Sequence, residues 1–237
     1  MKHQIKNRII PACTAICMML ALFACSDNSD PEEDDDGGAV SGKRIKSYVV
    51  NTASGVNGPV RWEFSYKSDG SAKQIDIYDK SSKRVIYSTF TNNSDGTISV
   101  AEQIDNTYSN TKWVFDHSYN SDKTLKKIQG TAYLIGKVDP VGANSTDFSY
   151  KDGKISRVVL QNGLITVQTD YEYDSKGRIS ASIQKQGNGS SFKNTFSYNS
   201  DGTLQKVNYQ DGQDIISINY TWENGKTTAG AVFHVFY

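Results

Sequence analysis

The sequence predicts an all-β protein, an antiparallel up-and-down meander of about 14 strands forming a rolled or flattened sheet or barrel. Three observations predict it. An aromatic–polar–aromatic triplet recurs between residues 64 and 222, turns rich in Asn, Asp and Gly follow the triplets, and no convincing helical stretch occurs after residue 42. Side chains alternate between the two faces of a strand, so each triplet puts two rings on one face and a small polar or acidic group on the other. The Asx-Gly steps supply the positive φ angles that tight hairpin turns demand.

In chain order, residues 1–24 read as a signal peptide and stay outside the fold argument. Lys2, Lys6 and Arg8 form a positive start, and Ile9 to Ala24 is an apolar stretch of 16 residues interrupted by Pro11 and Thr14. That is short of the ~20 residues a membrane-spanning helix needs. The stretch closes on Leu22-Phe23-Ala24-Cys25. This is the pattern of a lipoprotein signal, with a small residue before a cysteine that is acylated and becomes the new N-terminus. Cys13 and Cys17 lie inside the removed segment, so the mature chain keeps Cys25 alone and has no internal disulfide. A free thiol in an oxidising compartment is a liability that acylation removes.

Residues 25–42 follow as the lipidated cysteine and a tether. Asp27, Asp30, Glu32, Glu33, Asp34, Asp35 and Asp36 precede Gly37, Gly38 and Gly42. Like charges without apolar periodicity stay extended and solvated. A calcium loop would need a glycine and a distal glutamate at set spacing, which this run lacks. The segment resembles the acidic export signal behind the lipidated cysteine of surface lipoproteins in some Gram-negative gut anaerobes. That resemblance implies an outer-membrane, lipid-anchored protein exposed on the cell surface.

Residues 43–237 form one repetitive β domain, long enough to bury a substantial core. The triplets are Phe64-Ser65-Tyr66, Phe148-Ser149-Tyr150, Tyr171-Glu172-Tyr173, Phe196-Ser197-Tyr198 and Tyr220-Thr221-Trp222. Their turns end at Gly70, Gly153, Gly177, Gly202 and Gly225, with a related turn at Gly96 and a degenerate copy, Asn120-Ser121-Asp122-Lys123. A second set of turns, Asn162-Gly163, Gly187-Asn188-Gly189 and Asp211-Gly212, alternates with the first.

Tyr171 to Ile179 resembles a YD repeat, the unit of Rhs and teneurin shells, and Phe196 to Leu204 is similar, with Asn199 for the aspartate and Thr203 for the arginine. The lipobox and the repeat domain together resemble a surface lipoprotein family of unknown function described as having a porin-like fold. The resemblance implies an extended extracellular β structure, in some relatives in contact with carbohydrate.

The apolar face of each strand must leave water. A round barrel of ~14 strands has a lumen too wide for side chains to fill. Either the sheet flattens so that the rings of both sides meet, or the rings face outward into lipid. The terminal Phe233-His234-Val235-Phe236-Tyr237 and the position of rings at strand ends favour a spanning barrel. Short turns at both ends, polar strands such as Leu204 to Tyr209, and the redundancy of a lipid anchor favour the water-soluble sheet, which is the expectation adopted.

The search for chemistry yields little. Three of the 26 bases lie in the signal and seven of the 26 acids in the tether, leaving 23 bases and 19 acids in residues 43–237. That balance argues against nucleic acid. His117 and His234 have no partner at metal-ligand spacing, and no cofactor motif or nucleophile elbow occurs. Glu63, Glu172 and Glu223 adjoin rings at equivalent repeat positions, which suits a solvated ladder on the polar face better than a hydrolase pair. No enzymatic role is expected. Trp62, Trp113 and Trp222 are the candidate ligand-binding rings, although packing in the core accounts better for any single one of them. The expected task is binding of a glycan, small ligand or envelope protein, with a porin-like conduit as the alternative and a carbohydrate-active enzyme as the least favoured reading.

Overall fold

The computed structural model describes residues 39–51, 60–187, 189, 191–211 and 214–228. Cys25, the signal, most of the tether and the C-terminal Phe233–Tyr237 lie outside the described residues. The strands are β1 (Ala39–Asn51), β2 (Arg61–Tyr66), β3 (Ala72–Tyr78), β4 (Arg84–Asn92), β5 (Ile98–Asp105), β6 (Thr111–Tyr119) and β7 (Leu125–Leu134). They continue as β8 (Pro140–Lys151), β9 (Lys154–Asn162), β10 (Ile165–Tyr173), β11 (Ile179–Gln186), β12 (Ser191–Tyr198), β13 (Leu204–Asp211) and β14 (Asp214–Thr228). No helix occurs among the described residues.

Each strand pairs antiparallel with its sequence neighbours, and β1 pairs with β14 to close the barrel. The closing ladder is long, running from Ala39 opposite Thr228 to Asn51 opposite Ser217. Gly225, expected to end a turn, is instead paired with Gly42 inside this ladder. The pairing with β1 takes up its backbone groups, so the chain runs on extended through it. β1 likewise begins at Ala39, inside the stretch expected as tether.

Alternation sorts the side chains. Ile75 and Ile77 of β3 are fully buried, whereas Gln74 and Asp76 between and beside them face out. Inner rings and aliphatics from β1 around to β14 form one cluster, from Ile45 and Tyr48 through Phe115 and Val158 to Ile218 and Tyr220. A round 14-strand barrel would wet these groups through its lumen. Their burial in one cluster shows that the interior is filled by side chains, a packed core rather than an open lumen.

The outer face carries cross-strand ion pairs: Arg44–Glu223 at 2.8 Å, Arg84–Asp76 at 3.0 Å, Lys112–Glu102 at 2.6 Å, Arg157–Asp170 at 2.6 Å and Lys193–Glu172 at 3.2 Å. Arg61 pairs with Glu63 on the same face.

The two ends of the barrel differ. One end, the turn end, holds the Asx turns at 67–71, 93–97, 120–124, 174–178 and 199–203. In the Asn-Ser-Asp type, the Asp201 carboxylate accepts the Thr203 N–H and hydroxyl, and Asn199 Nδ2 donates to the same hydroxyl. Hydrogen bonds of this kind hold the Asp69, Asp95 and Asp122 carboxyls below their ordinary range. Gly96 and Gly202 take positive φ at one fixed turn position, and Lys123 takes the same conformation there with φ 64°. At the other, far end lie the connections around 79–83, 106–110, 135–139 and 163–164. β1 runs from the turn end to the far end, so the chain enters the barrel at the turn end.

Beside four of the triplets and the equivalent His117-Ser118-Tyr119, the register shifts between the polar residue and the second ring, the extra residue lying on the following strand at Lys73, Lys126, Ser156, Ser180 and Gln205. A bulge bends its strand and increases the local twist. At this end of the barrel the second ring donates to a carbonyl of the preceding strand: Tyr66 to Ile45, Tyr119 to Ile98, Tyr150 to Leu125, Tyr173 to Ile155 and Tyr198 to Ile179. Trp222 Nε1 donates to Leu204 in the same way. These latches close the turn end. On β4 the matching position is Asn92, whose Nδ2 donates to the Gly96 carbonyl instead.

Candidate ligand-binding site

The three tryptophans do not form one exposed platform. Trp62 is buried inside the barrel and stacks on Tyr48 with ring centroids 4.5 Å apart. Trp222 is a turn-end latch. Trp113 is half-buried near the far end of β6 and lies parallel to Phe115, at an interplanar angle of 3° and a centroid distance of 5.7 Å. Glu63, Glu172 and Glu223 occupy the outer face and each carries an ion pair. Among the described residues no three His, Cys, Asp or Glu side chains gather where they could hold a metal ion.

Two features mark the far end and the interior behind it. The first is apolar exposure. Tyr108, Leu134, Ile135, Val138, Val141, Leu164 and Ile165 are exposed, with Val138 at 87% and Leu164 fully open at a hairpin tip. All lie on or beside the far-end connections. An open groove of about 390 Å³ runs there between Ile104, Val114 and Tyr133 on one side and Leu134 to Val138 on the other, with Lys112 and Lys137 among its residues.

The second feature was invisible to the sequence analysis. Midway along the barrel the inner face turns polar without becoming charged, through Ser88, Gln103, Asn144, Thr146, Thr169, Ser182, Gln184 and Asn194, all buried. Register places them in arcs. Ser88 stands opposite Gln103, Thr169 opposite Gln184, and Ser182 opposite Asn194. Asn194 Nδ2 donates to Ser182 Oγ at 3.1 Å. Seven other polar atoms of the belt have no hydrogen-bond partner among the described residues: Ser88 Oγ, Gln103 Nε2, Asn144 Oδ1, Thr146 Oγ1, Thr169 Oγ1, Gln184 Nε2 and Asn194 Oδ1. A buried polar group left unsatisfied costs about 1–3 kcal/mol. Summed over the belt, that approaches the whole stability of a domain, about 5–15 kcal/mol. The period-two pattern hides this belt, because Ser, Thr, Asn and Gln also populate outward positions of the same strands.

Small residues adjoin the belt. A Cβ on Gly130 would meet the Phe115 ring at 2.8 Å and Asn144 Oδ1 closer still, whereas Gly142 faces only Ala132 Cβ at 3.7 Å. The absence of a side chain at Gly130 is what lets the Trp113–Phe115 pair and Asn144 share one patch of wall.

No protein-family model matches the chain, and no curated protein sequence does either. Solved structures do resemble it. A porin-like protein from Bacteroides vulgatus ATCC 8482 has a TM-score of 0.51 at 11% identity, over 76% of this chain and 98% of that one. A porin-like protein from Bacteroides uniformis ATCC 8492 has a TM-score of 0.46 at 12% identity, with the same coverage. A TcdB2–TccC3–Cdc42 structure has a TM-score of 0.28 at 11% identity, over 69% of this chain and 10% of that one. At such identity the first likeness concerns the fold, a closed antiparallel β-barrel.

Proposed function

We propose that this chain is an exported lipoprotein, anchored through acylated Cys25 at the outer membrane and facing the cell exterior, that works as a binding protein. It belongs by this reading with surface lipoproteins built from YD-like hairpins, and its ligand is a glycan, a small molecule or an envelope partner met at the far end. The observation that carries the reading is the polarity of the two ends. The chain enters at the latched turn end, and large exposed apolar side chains gather at the opposite end. An exposed apolar surface rimmed by polar groups is what interaction sites present. Catalysis forms no part of the proposal, because the tempting glutamates are engaged in ion pairs on the outer face.

A second reading, a porin-like conduit, is favoured by barrel closure. The distribution of side chains speaks for the first. Spanning barrels turn an apolar band to lipid and a polar face inward, and this barrel has ion pairs outside and rings inside.

The test uses the Cys25→Ser protein on a glycan array and on isolated envelope fractions, alongside Val138→Asp and Leu164→Asp. Both substitutions sit on exposed side chains, so the melting temperature should hold while binding to the recognised surface falls at least about tenfold, the loss of ~1.4 kcal/mol. Binding indifferent to both changes would remove the far end from the proposal.

A further inference from the structure

We propose that the polar belt inside the barrel is a binding site for a neutral polyhydroxylated ligand, a mono- or oligosaccharide, admitted from the far end as the interior opens. This rests on the reading of the chain as a far-end binding protein and goes further, naming the ligand class and an interior site.

The chemistry of the belt selects the ligand. Its hydroxyls both donate and accept, Gln103 and Gln184 offer amide N–H groups, and Asn144 and Asn194 offer carbonyl oxygens. Such a mixture complements adjacent hydroxyl groups. No Asp, Glu, Lys, Arg or His is among the fully buried polar residues described. A charged ligand would therefore lose its hydration with no counter-charge to meet it. Beside the belt the half-buried Trp113 ring lies parallel to the buried Phe115, with Gly130 close against Phe115, so apolar rings adjoin polar groups as they do in small-molecule sites.

The architecture selects the route. The turn end is closed by six latches and by the large inner side chains behind them. Toward the far end the inner rings Trp113 and Phe192 are only half-buried. The wall there carries only small residues at Gly130, Ala132 and Gly142, and a Cβ at Gly142 would meet Ala132 Cβ alone, at 3.7 Å. The belt atoms are buried without a hydrogen-bond partner among the described residues, so binding opens the interior at its middle and gives these atoms hydrogen bonds. Water would satisfy the same atoms, and the test separates the two.

The experiment compares the Cys25→Ser protein with Thr169→Val, Gln184→Leu and Ser88→Ala, by calorimetric titration and thermal melting with maltotriose, lactose, N-acetylglucosamine and glucuronate. Each substitution removes an unpartnered polar atom at near-constant volume, so the melting temperature should stay level or rise. Neutral saccharide binding to the unsubstituted protein should weaken roughly tenfold per substitution, and glucuronate should not bind. Equal affinity in the three variants would overturn the interior site while leaving a saccharide-binding protein. Absence of binding by any neutral saccharide, or equal binding of glucuronate, would overturn the ligand class. A marked fall in melting temperature in all three variants would show that these atoms have partners, and would overturn the site as well.

Discussion

At the scale of the residue, His117 is the informative case. It occupies the place that Phe64, Phe148, Tyr171 and Phe196 hold in other repeats, two residues before the latching Tyr119. In the sequence it stands only as a histidine without a partner at metal-ligand spacing, because a triplet with imidazole in place of its first ring does not register as a triplet. The matching signal was the Asn-Ser-Asp turn that follows Tyr119. Its Nδ1 lies 3.1 Å from the Phe115 carbonyl, and burial pushes the imidazole pKa down to about 4. The sign follows from linkage. Between the unfolded value near 6.5 and the folded value the unfolded chain binds more protons, so stability is lost as pH falls through this window. The loss is on the order of 3 kcal/mol by pH 4. His117→Phe should match the parent at pH 7.5 to within the variation of a repacked core and be clearly more stable at pH 4.5, measured by urea unfolding at both values. The turn aspartates do not confuse the result, because the stability they withdraw as pH falls through the ordinary carboxylate range is the same in parent and variant. Equal loss of stability on acidification in the variant would show that His117 does not set the pH dependence.

At the scale of the element, the unit of construction is a strand, a latching ring, a turn and a bulge at the start of the next strand. In the YD copy these parts interlock across repeats. Asp174 accepts the backbone N–H groups of Lys176 and Arg178 and pairs with the Arg178 guanidinium at 2.8 Å, and Arg178 lies 4.3 Å above the Tyr198 ring of the next repeat. Tyr198 in turn donates to the Ile179 carbonyl. Tyr198→Phe keeps the ring and the cation above it but removes the donor, so it should cost about 1 kcal/mol. Tyr198→Leu removes the cation–π contact too and should cost more, with unfolding midpoints in denaturant as the readout. A cost for Tyr198→Phe below ~0.3 kcal/mol would mean that water replaces the latch. The turns and the alternation were legible because Asx-Gly chemistry and two-residue periodicity are local. The function of the second ring was not, since it depends on a carbonyl 18 to 25 residues away. Seen from sequence alone, these rings at strand ends resemble an interfacial girdle. Gly225 misled for a related reason, because a glycine after a triplet signals a turn until a long-range partner, Gly42, claims its backbone. The polar belt was hidden more deeply. Ser182 and Gln184 read like surface residues until the ladders with β10 and β12 put them on the inner face.

At the scale of the whole molecule, the decisive property is which face of the sheet meets the surroundings. Closure removes the edge strands, and the inner rings and aliphatics bury one another in a filled interior, so the barrel needs no lipid to cover its rings. The outward side chains form ion pairs across neighbouring strands, including Arg157 and Lys185 on Asp170 and Lys127 on Asp147. Placed against hydrocarbon, charges such as these cost about 2–4 kcal/mol each at the bilayer midplane for Arg or Lys. In water each exposed pair contributes only about 0–1 kcal/mol, so their role is solvation rather than stability. The consequence is specific. Expressed with Cys25→Ser and a signal that ends in conventional cleavage, the protein should leave the membrane fraction in detergent-free buffer, run as a single species and melt cooperatively. Raising the salt from 0.1 to 1 M shortens the screening length from ~10 to ~3 Å. The melting temperature should nevertheless move by no more than a few degrees, because the core rather than the ion-pair ladder holds the fold. Retention in the membrane fraction until detergent is added would mean that the charged face is not the outer face in the cell. The conduit reading would then replace the binding one.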